Sequence, residues 1–340
     1  MKYLIELTDI PLEMRSKMAK KTDDIELLKI FSNDVQTVQC RVAENPNITD
    51  EIFIKLASST YESVRANIAQ NKNATHTALW VLVDDDSEGI RIKVAKNPNT
   101  TSDLLEKLVK DSSGLVREEV AQNPNAKEDI LKLLATDKNR YVRLFVIKNP
   151  NVNARILRIL MKDLDWKIRF EVAFSNQATV KILEYLSQDN EKEVRVAVAS
   201  NLKVTLSILE ELMTDQNVDV RVAVASSEKA SPEILSILAD DDNWRVRREV
   251  ARNKNVDSKT VEHLASDDEF CIRELIAGSK KATPDILKRF VINGGEAIAE
   301  VAIQNPNMPL ETLEKIVTLT CVDYNIASLA FEEYWNRILD

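Results

Sequence analysis

Residues 115–137 read LVREEVAQNPNAKEDILKLLATD, and a near copy of that string returns every 26 residues. An arginine marks each return: Arg65, Arg91, Arg117, Arg143, Arg169, Arg195, Arg221, Arg247 and Arg273. The register extends outward to Gln39 and Ala299, eleven slots without insertion or deletion, and a looser copy surrounds Arg15. Self-similarity at a fixed period of this length is the signature of a stacked-repeat solenoid.

One unit predicts two helices. Val116, Val120 and Ala121 share a helical face, and the residue before the arginine slot is Val or Ile in every register from Val38 to Ile298. Asn123-Pro124-Asn125 stops that helix, proline because it cannot continue the hydrogen bonding and asparagine because it tolerates a left-handed cap. The triplet recurs at Asn45, Asn97, Asn149 and Asn305. Ten places after the arginine slot stands an N-cap residue such as Thr75, Asn153, Ser231 or Asp257, with Lys127 and Pro309 as exceptions. Pro232 and Pro284 follow at a first helical position, where a missing N–H is harmless. The second helix then carries Leu131 and Leu134 or their apolar equivalents. Neither short helix can bury its stripe alone, so the units must stack.

The pattern V-R-x-x-V-A-x-N-P-N followed by a Leu-x-x-Leu helix resembles the variant leucine-rich repeat, a relative of HEAT-type helical repeats, over roughly residues 30 to 317. The resemblance implies a right-handed superhelix of alternating helices, one of them often short or 3₁₀. These units are slightly longer than the usual variant repeat, which favours two α-helices in each. An iron–sulfur module known beside some variant repeats needs clustered cysteines; Cys40, Cys271 and Cys321 are far apart, so no cofactor is expected.

The expected architecture is therefore an all-α solenoid of about twelve two-helix repeats forming a single domain over residues 1–340. Residues 1–37 form a degenerate first repeat and cap, containing Leu27, Ile30 and Phe31. Regular repeats span 38–317. Residues 318–340 form a capping helix on which Ile326, Ala330, Tyr334 and Ile338 recur every four residues beside Leu329.

Composition narrows the function. Forty-six basic against fifty-five acidic side chains give a net charge of −9, which disfavours a general phosphate-binding surface. Glu6 and Asp9 interrupt any apolar leader, and no apolar run is long enough to span a bilayer, so the expected setting is cytoplasmic, with free thiols and no membrane. His76 and His263 are the only histidines and lie far apart; there is no HExxH, GxSxG, phosphate loop or cysteine cluster. No metal site and no enzyme activity are expected.

Six places before the arginine slot stands an aspartate in eight registers, from Asp85 to Asp267. At both ends the two are lost together, Asn33 with Gln39 and Asn293 with Ala299; only Ser59 with Arg65 breaks the rule. Joint loss predicts that members of one unit, such as Asp189 and Arg195, neutralise each other; a charged recognition surface is the alternative.

The best functional clue lies where units differ. One place after the arginine, outer units carry Glu118, Arg248, Glu274 and Glu300, whereas the middle carries Leu144, Phe170, Val196 and Val222. Phe145 and Phe174 depart from polar equivalents in the same way. Leu144, Phe145, Phe170, Phe174, Val196 and Val222 form a candidate partner or self-association stripe, the alternative being local packing. WRVRREVARNK, residues 244–254, sets basic residues beside an aromatic and raises nucleic acid as a partner, against the acidic Asp240–Asp242 just upstream. Trp166 and Trp244, in one slot, are expected to fill core at the turn. The reading that results is a non-catalytic scaffold for a protein or peptide. A HEAT-like DNA-binding or DNA-repair module is the alternative, and a helical-repeat chaperone or lyase-type accessory protein rests on fold analogy alone.

Overall fold

The structure, a computed structural model, describes residues 9–318 and 323–339. Cys321 and the leader reading on residues 1–8 lie outside them. Two compact units result, Met1–Val172 and Ala173–Asp340. Among the described residues all regular structure is helical.

The first unit pairs α1 (Leu12–Lys21) with α2 (Ile25–Phe31), α3 (Gln36–Ala43) with α4 (Asp50–Ala57), α5 (Glu62–Gln70) with α6 (His76–Leu82), and α7 (Glu88–Lys96) with α8 (Ser102–Leu108). It closes on α9 (Gly114–Gln122), α10 (Glu128–Leu134), α11 (Arg140–Lys148) and α12 (Ala154–Leu160), and the division falls within α13 (Trp166–Phe174). The second unit holds α14 (Val180–Leu186), α15 (Lys192–Ala199), α16 (Leu206–Leu212), α17 (Val218–Ser226), α18 (Pro232–Leu238), α19 (Trp244–Arg252), α20 (Ser258–Leu264), α21 (Phe270–Ala277), α22 (Pro284–Asn293), α23 (Glu296–Gln304) and α24 (Leu310–Thr318). A last helix, α25 (Tyr324–Leu339), packs on α23 and α24. Both helices of each unit are α-helical, the second usually two turns long. Helices this short are not stable alone in water, so burial between neighbours holds them. All eleven Val or Ile residues before the arginine slot are at most 2% exposed, and Leu131 and Leu134 are equally buried.

The second helices begin where the sequence places them. Thr75, Asn153, Thr205, Ser231, Asp257 and Thr283 accept backbone N–H groups of the first turn, whereas Thr49, Thr101 and Thr179 make no such bond. The asparagine stop is different from the expectation: Asn123 is extended at φ −66°, ψ 128°, and no residue other than glycine has positive φ among the described residues. The residue before a proline is pushed out of the α region into the extended one. The Asn123 side chain then accepts the Asn125 N–H at 2.9 Å and donates into the preceding repeat, to the carbonyls of Ala95 (2.7 Å) and Asn97 (3.2 Å). Asn125 adds bonds to the carbonyls of Pro98 and Thr100, both 2.9 Å. Asn149 and Asn151 repeat this pattern in the first unit, as Asn253 with Asn255 and Asn305 with Asn307 do in the second. This amide ladder runs along the edge where first helices turn into second ones.

The opposite edge carries the arginines, and there the pairing register differs from expectation. In seven rungs the arginine grips the aspartate of the following repeat, 20 residues on, not the one six residues back. Arg117 Nε and Nη2 donate to the two carboxylate oxygens of Asp137 at 2.6 and 2.9 Å. Its Nη1 donates to the backbone carbonyls of Asp111 and Ser112. The same fork joins Arg65 to Asp85, Arg91 to Asp111, Arg143 to Asp163, Arg195 to Asp215, Arg221 to Asp241 and Arg247 to Asp267. Asp189 gives Arg195 a hydrogen bond through its carbonyl oxygen, at 2.6 Å. The register also explains Ser59, whose hydroxyl donates to Gln39 Oε1 at 3.2 Å: a neutral pair fills the first rung. Arg15 also pairs with Asp34, but through Nη1 to one carboxylate oxygen, while its Nε donates to the Ile10 carbonyl. These carboxylates are 5 to 9% exposed, so the ladder is part of the packing and no open recognition surface. Burial drives the Asp137 carboxyl upward, but the Arg117 hydrogen bonds, the Asn139 N–H and the guanidinium charge outweigh it and hold it below the usual carboxylate range.

The capping helix holds on by mimicry. Ile326 and Ala330 are buried, Leu329 and Tyr334 half-buried, but Ile338 is 46% exposed, so the expected apolar stripe stops short of the helix end. Arg337 takes over there, donating to the carbonyls of Ile303, Asn305 and Met308, acceptors of the kind the asparagines use one repeat earlier.

Candidate partner-binding surface

The odd-numbered helices form the closely packed row in each unit. Each buries the residue before its arginine slot together with those three and four after it. The positions two before and one, two and five after share the opposite face, at helical spacings of three and four. That face is where the candidate stripe sits.

In the first unit Leu144 and Phe145 on α11 and Phe170 on α13 are half-buried, sheltered by neighbouring helices without being sealed from water. In the second unit Phe174 is 62% exposed, while Val196 on α15 and Val222 on α17 are half-buried. Ala197 and Ala223 beside them are buried. Two members of the first unit's face escape sequence reading: Leu115 is 54% and Tyr141 51% exposed. They occupy the position two before the arginine, three residues ahead of Glu118 and Leu144. That i, i+3 relation is the signal that could have found them. The Arg140 guanidinium lies 5.0 Å from the Tyr141 ring centre and the Lys167 ammonium 5.7 Å from that of Trp166, so the first unit frames its apolar side chains with cations.

Trp166 and Trp244 do not fill core: Trp166 is half-buried, and Trp244 is 39% exposed with the Arg248 guanidinium over its ring at 5.3 Å. Each cation of the basic run around Trp244 pairs with a carboxylate, Arg248 and Arg252 sharing one. Arg245 pairs with Asp219, Arg247 with Asp267, Arg248 and Arg252 with Glu249, and Lys254 with Glu228. The ordinary requirement for a nucleic-acid groove is a basic face free to meet phosphates.

Neither histidine stands near the other. His76 meets Asp103 at 2.9 Å and His263 meets Asp240 at 2.8 Å, both on exposed faces. The Thr101 hydroxyl and His76 together draw the Asp103 carboxyl down to about 2. Cys40 and Cys271 are unpaired and half-buried, and no group of three or more potential metal ligands occurs among the described residues. No helix among them is long and apolar enough to cross a membrane.

No protein-family model matches the chain, and no match is found among curated proteins. Among solved structures the chain is similar to one described as a leucine-rich repeat variant with a novel repetitive protein structural motif. The two are 25% identical with a TM-score of 0.51, over 68% of this chain and 88% of that one. With its paired helices and 26-residue register, the chain has the helical-repeat architecture of a leucine-rich repeat variant.

Proposed function

We propose that this chain is a non-catalytic scaffold that holds a protein or peptide on the solvent-facing side of its first-row helices. The observation that carries the reading is Phe174: a large aromatic side chain, 62% exposed, in a slot held by Gln70, Lys96, Gln122 and Arg252 elsewhere. With Val196 and Val222 it gives the second unit an apolar surface on that face; in the first unit Leu144, Phe145 and Phe170, beside Leu115 and Tyr141, do the same. Covering the rest of such a ring is worth on the order of 1–2 kcal/mol. A folded helical row loses little ordering entropy when it binds. The paired state of every cation around Trp244 speaks against nucleic acid as the ligand, and the setting of the reading is cytoplasmic.

Phe174→Asp is the cleanest test, because so exposed a position tolerates a carboxylate; adding Phe145→Asp deepens it. Partner retained by the wild-type chain should be lost in the single variant while its helical circular dichroism stays unchanged. If the stripe is instead a self-association face, sedimentation of the wild-type chain shows an oligomer that the variant lacks. Full retention of the partner by the double variant, still folded, sinks the assignment.

A further inference from the structure

The arginine edge ends on an empty fork. In seven rungs an arginine is aimed by two backbone carbonyls through Nη1, and its other edge, Nε with Nη2, takes both oxygens of an aspartate 20 residues on. Arg273 keeps the first half of this arrangement: Nη1 donates to the carbonyls of Asp267 at 2.6 Å and Asp268 at 2.9 Å. The second half is absent, because position 293 is Asn293 and no carboxylate pairs with Arg273 among the described residues. The local fold has changed with it. Helix α22 runs ten residues, through Asn293, instead of stopping after seven as its neighbours α20 and α18 do. Gly294 and Gly295 then turn the chain. A Cβ on Gly294 would sit 2.5 Å from the Phe290 carbonyl oxygen, and Gly295 has φ +80°. Asn293 is consequently exposed where the ladder aspartates are buried, and Arg273 remains part-exposed.

We propose that Arg273 is a carboxylate-binding site: a guanidinium oriented in advance, presenting to solvent the two-donor edge that the same chain fills with a carboxylate seven times over. The planar fork suits a carboxylate taken through two parallel N–H···O bonds. The ligand is an acidic side chain or a terminal carboxylate of a peptide. Asp267, Asp268 and Glu274 lie close in sequence and oppose any anion, so binding depends on the fork geometry and not on a positive field.

The Nε–H resonances of the ¹⁵N-labelled protein report this directly, with the Arg273 signal assigned by Arg273→Lys. Sodium acetate added at constant ionic strength should move that signal saturably towards the region of the seven ladder arginines. The exposed Arg155 serves as reference. In Asn293→Asp the response should shrink, since a neighbouring carboxylate either occupies the fork or repels the titrant. A peptide with a free C-terminus, the same peptide amidated, and an amidated one with an internal glutamate then separate the two carboxylate sources. An Arg273 signal that moves no further than that of Arg155, or an unchanged response in Asn293→Asp, overturns the proposal.

Discussion

In each unit the two edges of the helical array fasten one repeat to the next by opposite chemistries. On the arginine edge both partners are side chains, such as Arg117 and Asp137. On the asparagine edge the donor is a side chain and the acceptor is backbone, such as Asn123 with the carbonyls of Ala95 and Asn97. Both satisfy buried polar groups that the stacked helices would otherwise strand. They differ in what disturbs them. One edge titrates, and its partners can be erased together; the other does not titrate, and its acceptors cannot be mutated away.

Acid separates them most strongly. The carboxyls of Asp85, Asp111, Asp137, Asp215, Asp241 and Asp267 are each pulled up by burial yet held lower overall by their arginine, by a backbone N–H and by nearby guanidinium charge. A folded-state value below the unfolded one, about 3.9 for aspartate, means the stabilisation is complete above that pH. It is lost as pH falls through the lowered folded value. The melting temperature should therefore stay level from pH 8 to about 5 and drop steeply below about 4, many rungs failing together. A melting temperature that is the same at pH 5 and pH 3 would show that the arginine edge contributes no stability.

A single rung tests whether the partners act as a unit. Asp137→Leu leaves Arg117 with its charge buried and should cost about 3–5 kcal/mol in urea unfolding. Adding Arg117→Met should recover most of that loss, because the uncompensated charge goes with it. On the other edge Asn123→Ala should cost about 1–3 kcal/mol, and no second substitution should recover it, since carbonyls remain whatever side chain stands there. If the Arg117→Met, Asp137→Leu pair is as unstable as Asp137→Leu alone, the rung is not the unit of stability.

The same contrast decides what could be read before the fold was known. Equal spacing of Val116, Leu131 and their equivalents was enough for the core, because apolar burial leaves a mark at every repeat. Arginine and aspartate were legible as partners but not in register: in a 26-residue period, six back and 20 forward are the same statement except at the ends. Ser59, which looked like an exception, carried the answer, since it lies 20 residues after Gln39. The asparagine ladder was invisible for a deeper reason. A side chain that bonds to backbone has no partner whose identity must match, so Asn123 could be read only as a helix stop. The stripe was half legible: polar equivalents marked the slots of Leu144 and Phe174 as solvent-facing, but sequence spacing does not tell how far flanking helices shelter each one. Phe174 emerges well exposed and Leu144 only in part.

The smallest effect concerns a difference between the units on the asparagine edge. In the first unit Asn45, Asn71, Asn97, Asn123 and Asn149 fill every register, whereas in the second Asn201, Asn253 and Asn305 alternate with Ser175, Ser227 and Ser279. Each serine hydroxyl still accepts the N–H two residues on, as Ser227 does from Lys229 at 3.4 Å, but is too short to donate to the preceding repeat. In the third of these registers Lys281 donates to the carbonyls of Lys254 and Val256, the acceptors that correspond to those of Asn255 one repeat earlier, not to those of Asn253. At Ser227 a cavity of about 160 Å³ is lined by Asn201, Ser226 and Ser227. Ser227→Asn should reach the carbonyls of Ala199 and Asn201, as its counterparts reach theirs, and occupy part of that space. A net gain of about 1 kcal/mol is expected, the worth of a neutral buried hydrogen bond. Amides of α15 and α17 should exchange more slowly with solvent deuterium. A loss of stability would mean that the serine registers are shaped for the shorter side chain, and that the alternation in the second unit is a packing requirement, not a missing bond.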